Sequence, residues 1–379
     1  MEIHYPDYYK KFQCTGAECM NTCCTGWKIG IDKATCRTYR HTGGAFGKRL
    51  RASVDYRKKC FITNGNFCPF LNEDQLCDIY IHLGKEKMCR TCRDYPRHME
   101  IYGELYEVSL SLSCPEAARL VLQNEKSASF ISRVNVRPGK TEEVDEDFLR
   151  LLCLVRENMF AVMEDCSMEL NLKLAMILGL AHDIQTRIDQ GKPKLAKEVL
   201  ERLRREKTFL HFKRKAAQYA NRWEERRQIM SAYLDMMSGL ETIERLWPGK
   251  RRKCRHFLSD QANYETACLE FFNYYRDNEY EYKNLVIYFL YVYFLGAVYD
   301  RDVYSKVKFA VISALVIQEM GAADFAEKKS FSTDDQIEEA YIFSREMEHS
   351  DYNLEKMEVL LSGNGMFSLE KILICVMAR

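Results

Sequence analysis

Cysteine placement constrains this chain more than any other feature. Eleven of its 16 cysteines, Cys14, Cys19, Cys23, Cys24, Cys36, Cys60, Cys68, Cys77, Cys89, Cys92 and Cys114, precede residue 115, and the other five are spread over the remaining 265 residues. At about one residue in ten, cysteine is a framework element that serves disulfides or metals. A secreted disulfide framework follows a charged segment and an apolar run. Met1-Glu-Ile-His-Tyr-Pro-Asp-Tyr-Tyr-Lys-Lys has no such run. The expectation is a cytoplasmic protein with reduced thiols, where dense cysteines are more often metal ligands or catalytic groups than crosslinks. Thiolates that converge without a cation repel one another, so a metal or cluster resolves their electrostatics.

The rest of the chain has a different texture. Its length of 379 residues predicts two domains with substantial cores. Lys+Arg 56 against Asp+Glu 55 leaves a net charge of +1, which argues against a dedicated nucleic-acid binder or a polybasic membrane protein. The longest apolar stretch, Leu285 to Tyr299, is bounded by Asn284 and Asp300 and is shorter than the roughly 20 residues of a spanning helix. It reads as a core helix, as does Val307 to Met320. From about residue 145 onward apolar residues recur at helical spacing, as in Phe148, Leu151, Leu152 and Val155, then Leu172, Ala175, Met176 and Leu180. Gly191 before Pro193, Trp247-Pro248-Gly249 and Gly321 read as stops and starts, and Thr333-Asp-Asp-Gln336 as a capping box. The expected fold is therefore mainly α: a small cysteine-rich α+β N-terminal domain with a β-hairpin (1–136), then an all-helical C-terminal domain (137–379). Arg137 to Glu143 reads as the linker.

Within the first third, Arg97 to Ile101 and Glu104 to Leu112 flank Gly103 as a hairpin, and Val108, Leu110 and Leu112 alternate with polar residues to give one apolar face. Pro115 suits the first position of a helix expected to reach about Ser132, which puts Cys114 at a helix N-terminus where a thiolate is favoured. His41 to Lys48 is glycine-rich, lacks P-loop spacing and reads as a flexible loop. Lys192 to Arg227 and Lys250-Arg-Arg-Lys253 are basic, but interleaved Glu198, Glu201, Glu206, Glu224 and Glu225 suit a solvated helix face with local ion pairs better than a nucleic-acid site.

The cysteine spacings point to metal chemistry without choosing the metal. Cys14, Cys19, Cys23 and Cys24 lie in one short loop with Gly16 and Gly26, and Cys89-Arg-Thr-Cys92 is a C-x-x-C pair. Zinc and iron–sulfur both take thiolate-rich sites. A second C-x-x-C knuckle, expected of structural zinc, is missing, and the irregular N-terminal spacing tilts the reading toward iron–sulfur. The C-x-x-x-C-x-x-C spacing of radical-type S-adenosylmethionine enzymes is missing too, because Cys24 follows directly on Cys23.

Taken in order, Cys14/Cys19/Cys23-Cys24 running into Thr25-Gly-Trp-Lys-Ile-Gly-Ile-Asp32, Cys68-Pro-Phe-Leu71, Leu76-Cys-Asp-Ile-Tyr80, Thr91-Cys-Arg-Asp-Tyr-Pro-Arg97 and Ser109-Leu-Ser-Leu-Ser-Cys-Pro-Glu-Ala-Ala118 resemble the flagellin lysine N-methylase family over about the first 120 residues. That family is a branch of a wider cysteine-rich group with a CxxCxxCC-type motif, from which this chain departs in its wider gaps before Cys23. The resemblance implies methyl transfer from S-adenosylmethionine to lysines of flagellin. It also implies an iron–sulfur cluster, of 4Fe-4S type with zinc as the alternative, on the N-terminal cysteines. By the same resemblance Cys14, Cys19, Cys23 and Cys24 are the leading ligands, and Cys68, Cys77, Cys92 and Cys114 the next. Cys36, Cys60 and Cys89 rank lower, because free cysteine packs well as a small hydrophobe. That reading also covers Cys153, Cys166, Cys254, Cys268 and Cys375.

Methylating a lysine requires a neutral amine, although the free side chain has a pKa of about 10.4. Trp27, Asp94, Tyr95, Arg97 and His98 are the candidates nearest the cysteines for holding donor or amine. Each also has a structural reading: Trp27 in a core, Asp94 with Arg97 as a local ion pair, Tyr95-Pro96 as a turn. No Gly-x-Gly-x-x-Gly follows a strand, so a Rossmann-type donor site is not supported. Spacing selects no catalytic base, donor pocket or oligomeric state. A non-enzymatic zinc- or iron-binding adaptor is the alternative function class.

Overall fold

The computed structural model describes the chain except for residues 1, 64, 66, 126–128, 135–142, 204, 364 and 379. The expected domain boundary and all of the expected linker but Glu143 lie outside the described residues. Among them the architecture is mainly helical, with short elements and a small sheet near the N-terminus and helices alone after it.

The chain opens on strand β1 (Glu2–Pro6). Helices α1 (Lys33–His41) and α2 (Gly44–Ala52) follow, then the two-residue strands β2 (Val54–Asp55) and β3 (Cys60–Phe61) and the short helices α3 (Asp78–Leu83) and α4 (Arg90–Asp94). The glycine-rich segment is thus no flexible loop. Gly47 sits inside α2 because a Cβ there would meet the Thr42 carbonyl oxygen at 1.9 Å. Ile29, Ile31, Tyr39, Leu50, Val54, Phe61, Phe70 and Ile79 form the core of this region together with Cys36, Cys68 and Cys89.

The hairpin forms as β4 (Arg97–Tyr102) and β5 (Leu105–Leu110), and Gly103 takes φ +58 in its turn. It belongs to a four-stranded sheet in the order β4-β5-β1-β6. Strand β1 runs parallel to β5 and antiparallel to β6 (Phe130–Val134). This corrects two expectations. Helix α5 (Pro115–Leu122) stops well short of Ser132, and the chain returns as an edge strand instead. Strand β5 is buried along its whole length rather than on one face, being interior to the sheet. Buried Glu107 is tolerated there because Arg156 grips it with a two-pronged ion pair and His4 lies 3.7 Å away.

The helical region comprises α6 (Glu146–Glu164), α7 (Leu170–Asp189), α8 (Ala196–Leu203), α9 (Glu206–Ala216), α10 (Trp223–Met237), α11 (Trp247–Ser259), α12 (Tyr264–Tyr274), α13 (Tyr280–Tyr293), α14 (Ala297–Asp300), α15 (Val303–Lys328), α16 (Thr333–Glu348), α17 (Asp351–Ser362) and α18 (Leu369–Met377). Helix α15 is buried on every side from Val303 to Phe325, mostly apolar but with Lys306, Lys308, Glu319 and Asp324 buried among its apolar residues. It and the helical run Arg276–Asp300 are long and apolar enough to cross a bilayer, yet most of their surface is covered by the rest of the protein, so here they are core helices. Gly321 does not end a helix. It lies within α15, where a Cβ would press on Phe331 at 3.0 Å and Phe271 at 3.2 Å. The capping box falls one residue early, on Ser332 and Asp335.

Ion pairs account only for the end of the basic stretch and for the 250–253 run: among the described residues Glu198, Glu201 and Glu206, expected to pair along a helix face, form no ion pair, whereas Glu224 and Glu225 do. Arg222 pairs with Glu225 and Arg227 with Glu224 on the surface of α10, while Lys250 reaches Glu339 at 2.5 Å and Lys253 reaches Asp324 at 2.7 Å. Arg226 departs from the solvated-face reading: it is buried against Glu319, with Nε donating at 3.0 Å. Of the late cysteines, Cys254, Cys268 and Cys375 are buried and Cys153 is partly buried, but Cys166 is exposed.

Candidate functional site

Short-range backbone contacts gather the thiols. Gly16 takes φ +60 in a tight turn, and Cys19 N–H closes it onto the Gly16 carbonyl at 3.2 Å. Gly26 takes φ +86 against the helical region, where a Cβ would lie 2.7 Å from the Ile243 carbonyl oxygen. Cys68 N–H donates to the Cys24 carbonyl at 2.8 Å, drawing the second cysteine segment onto the first. Cys77 caps α3, whose orientation is fixed by Arg49. That guanidinium donates to Asp78 and to the Pro69 carbonyl, each at 2.6 Å. Asp32 accepts from Thr35 N–H at the start of α1 and from Arg90 N–H at the start of α4, so one carboxylate fixes the C-x-x-C helix to the first cysteine loop. Thr91 adds a bond to the Gly30 carbonyl.

The result is one cavity of about 640 Å³ with nine cysteines in its wall: Cys14, Cys19, Cys23, Cys24, Cys68, Cys77, Cys89, Cys92 and Cys114. All eight candidate ligands lie there, and Cys89 with them. Cys36 and Cys60 are buried elsewhere. Among the described residues no group of three or more His, Cys, Asp or Glu side chains is arranged to hold a single metal ion.

As free thiols these groups perturb one another. A hydrogen bond with Cys24, with burial behind it, holds Cys23 well above its ordinary pKa, whereas the bond with Cys24 draws Cys68 down. Likewise, the Cys89–Cys92 hydrogen bond lowers Cys89 and raises Cys92. Such alternation is expected when like groups share protons, since a second nearby thiolate is disfavoured. Cys114 does cap α5, facing the Ala117 and Glu116 amides, but burial outweighs that helix end and pushes its thiol up to about 12. Burial thus works against the thiolate expected at Cys114 from its place at a helix N-terminus.

One wall of the cavity is aromatic and polar. Tyr95 lines it. The Trp27 ring stacks on His349 with centroids 4.6 Å apart and meets Tyr95 at 5.8 Å, and Trp27 Nε1 donates to the Cys23 carbonyl at 2.9 Å. The Tyr95 hydroxyl lies 3.0 Å from Ser113 Oγ, and His349 Nε2 lies 2.8 Å from the same oxygen. Arg345 ties the wall to the loop, donating to the Ser113 carbonyl at 2.8 Å and to the Asn21 carbonyl at 3.2 Å. Burial, reinforced by Arg345, pushes His349 down to about 3, so its imidazole is neutral.

Of the other sequence candidates, Asp94 pairs with Arg93 at 3.2 Å and with Arg90 rather than with Arg97. The Arg97 guanidinium lies over the Phe12 ring instead, and His98 pairs with Glu100. His349 and Arg345, more than 200 residues beyond the cysteines, had no local signal. A second cavity of about 390 Å³ shares Gly16, Cys19, Asn21 and Thr22 with the first and reaches Glu244 and Arg245 of the helical region.

Comparison with known proteins places the helical part in context. Residues 156–375 match a family model described as the FliB lysine N-methylase C-terminal domain. The chain is 32% identical over 128 residues to the flagellar biosynthetic protein FliU of Salmonella muenchen, which covers 31% of this chain and 76% of that protein. It is 31% identical over 141 residues to the lysine-N-methylases of Salmonella typhimurium and Salmonella choleraesuis, covering 35% of this chain and 35% of each relative. The matched stretch thus spans about a third of those two relatives. No solved structure matches the chain.

Proposed function

Because the chain belongs to the FliB lysine N-methylase family, we propose that it is a cytoplasmic enzyme that methylates lysines of flagellin with S-adenosylmethionine, at the thiol-lined cavity. The observation that carries this reading is the convergence of nine cysteines and an aromatic wall on one cavity in a chain of that family. In the reaction the amine lone pair attacks the donor methyl carbon, the carbon–sulfur bond breaks, and its electrons return to sulfur as the thioether. The faces of Trp27 and Tyr95 supply the electron-rich surface that attracts a sulfonium. The same rings and the buried wall behind them exclude water from the amine and lower its pKa by desolvation.

An all-thiol donor set suits an iron–sulfur cluster, and the cavity wall holds more sulfurs than the four a tetrahedral zinc takes. In this proposal Cys14, Cys19, Cys23 and Cys24 supply the first ligands, and Cys68, Cys77, Cys92 and Cys114 complete or surround the set. When bound, a cluster of the 4Fe-4S type would neutralise the thiolates and crosslink segments that otherwise share only a thin core.

The test uses protein purified without oxygen, incubated with S-adenosylmethionine and flagellin and followed by peptide mass spectrometry. Lysine masses rising in steps of one methyl group are expected, together with iron, sulfide and a brown absorption. No transfer by iron-loaded protein would overturn the reading, and a colourless protein with stoichiometric zinc would remove the cluster. A labile metal without methyl transfer would favour a metal-handling adaptor.

A further inference from the structure

Lysine methylation releases a proton, and the cavity wall leads to a buried carboxylate that none of the matches above accounts for. From Tyr95, the chain of oxygens continues inward: Tyr95 Oη to Ser113 Oγ at 3.0 Å, Ser113 Oγ to Ser111 Oγ at 2.7 Å, and Ser111 Oγ to Glu348 Oε2 at 3.1 Å. The Tyr288 hydroxyl donates to the same Glu348 oxygen at 2.9 Å and accepts from Leu112 N–H at 3.2 Å, fixing both the carboxylate and the serine segment. Every member between the ends is a hydroxyl, which can accept one proton while donating another. Resting on the methyl-transfer reading, we propose that Tyr95, Ser113, Ser111 and Glu348 form a relay that accepts the proton of the target lysine. Glu348 is its terminal base, and His349 is a positioning residue that holds Ser113 in line.

The proton balance closes without any further reactant. The lysine ammonium passes a proton to Tyr95 Oη as the Tyr95 proton moves to Ser113, that of Ser113 to Ser111 and that of Ser111 to the Glu348 carboxylate. The neutral amine then takes the methyl group, and the Glu348 carboxylic acid returns its proton along the same path after product leaves. Burial pushes Glu348 up to about 7, and the Tyr288 and Ser111 bonds offset this only in part. A base near neutrality is ionised at working pH yet still basic enough to take a proton. His349, held near 3, is too weak a base for that role. The other groups facing Glu348 are Ser344 on its own helix, His98 of β4 and Tyr293 of α13.

The experiment is the pH dependence of kcat for flagellin methylation by the wild type and by Glu348→Gln, Tyr95→Phe and Ser113→Ala, with circular dichroism to check folding. Wild-type kcat should rise through an inflection near pH 7 and level off. Glu348→Gln should lower kcat by about 100-fold, the lower end of what a general base contributes, with KM changed less than threefold and the inflection gone. Tyr95→Phe and Ser113→Ala should lower kcat in the same way while remaining folded, so the test survives if the Gln variant does not fold. An active wild type whose folded variants keep the inflection and a kcat within threefold overturns the relay alone. A wild type that transfers no methyl group overturns the proposed activity beneath it.

Discussion

Around the thiols, Phe61 and Phe70 anchor a thin core to which cysteines contribute, and the segments meet through single bonds such as Asp32 to Arg90 N–H. In the helical region α15 is buried without a break from Val303 to Phe325, and its buried carboxylates are matched, Glu319 by Arg226 and Asp324 by Lys250 and Lys253, while Lys308 donates to the Leu361 and Gly363 carbonyls. One region draws its stability from apolar area, at roughly 25 cal/mol per Å². The other is organised around thiols that repel when ionised and has far less apolar area to hold it. The family match over 156–375 covers the apolar-rich part, while the candidate chemistry lies mostly in the thiol-rich part.

Four substitutions break or sharpen this contrast, each followed by denaturant unfolding and by hydrogen exchange resolved along the chain. Glu319→Ala leaves Arg226 charged and buried without its partner. Stability should fall by about 3–5 kcal/mol, with exchange rising in α10 and α15 before it rises between Ile29 and Cys92. Next is a pH effect at Glu281, which is fully buried, accepts from the Tyr275 hydroxyl at 2.6 Å and is pushed by burial to about 7. An acid whose pKa is raised on folding keeps a proton that the unfolded chain has released. Its contribution is complete below the unfolded value near 4.5 and is lost as pH rises through about 7. Between those limits Glu281→Gln should flatten a decline of about 3 kcal/mol, at 1.36 kcal/mol per pKa unit.

Gly47→Ala acts on the other region. A methyl group cannot share space with the Thr42 carbonyl, so α2 must shift, at about 2 kcal/mol, and exchange should rise in α1 and α2 while α15 stays protected. The smallest effect expected is that of Asp32→Ala, about 1 kcal/mol for a lost helix cap. Because Asp32 also holds Arg90 N–H, this variant should loosen α4 and raise the reactivity of Cys89 and Cys92 toward alkylating reagents. If either variant unprotected α15 as strongly as its own region, the two regions would not differ in the way described.

Periodicity made much of the helical region legible, because α6 and α7 carry their burial in the spacing of Leu, Val and Met, and α15 showed itself instead as a long, nearly unbroken apolar stretch. Where the sequence reading failed, the deciding contact is distant. Strand β1 is short and ends in Pro6, and β6 exists only because β1 offers it an edge. Gly321 looks like a breaker until the rings of Phe271 and Phe331 are placed against it. The cysteines, Trp27 and Tyr95 could be named as candidates from local spacing. Ser111 and Ser113 could not, since in sequence they are only the polar half of an alternating strand, and their partners Glu348 and His349 come more than 230 residues later.

That separation bears on how the protein is made. The thiol loop leaves the ribosome early, but Asn21, Gly26 and Ser113 find their seats only against Arg345, Ile243 and His349. Throughout most of synthesis the nascent chain therefore carries its cysteines on an unfinished wall, open to oxidation and to stray ions. The cavity is complete only late in biogenesis, and a chain truncated before α16 would expose the same thiols without the wall that Arg345 and His349 hold in place.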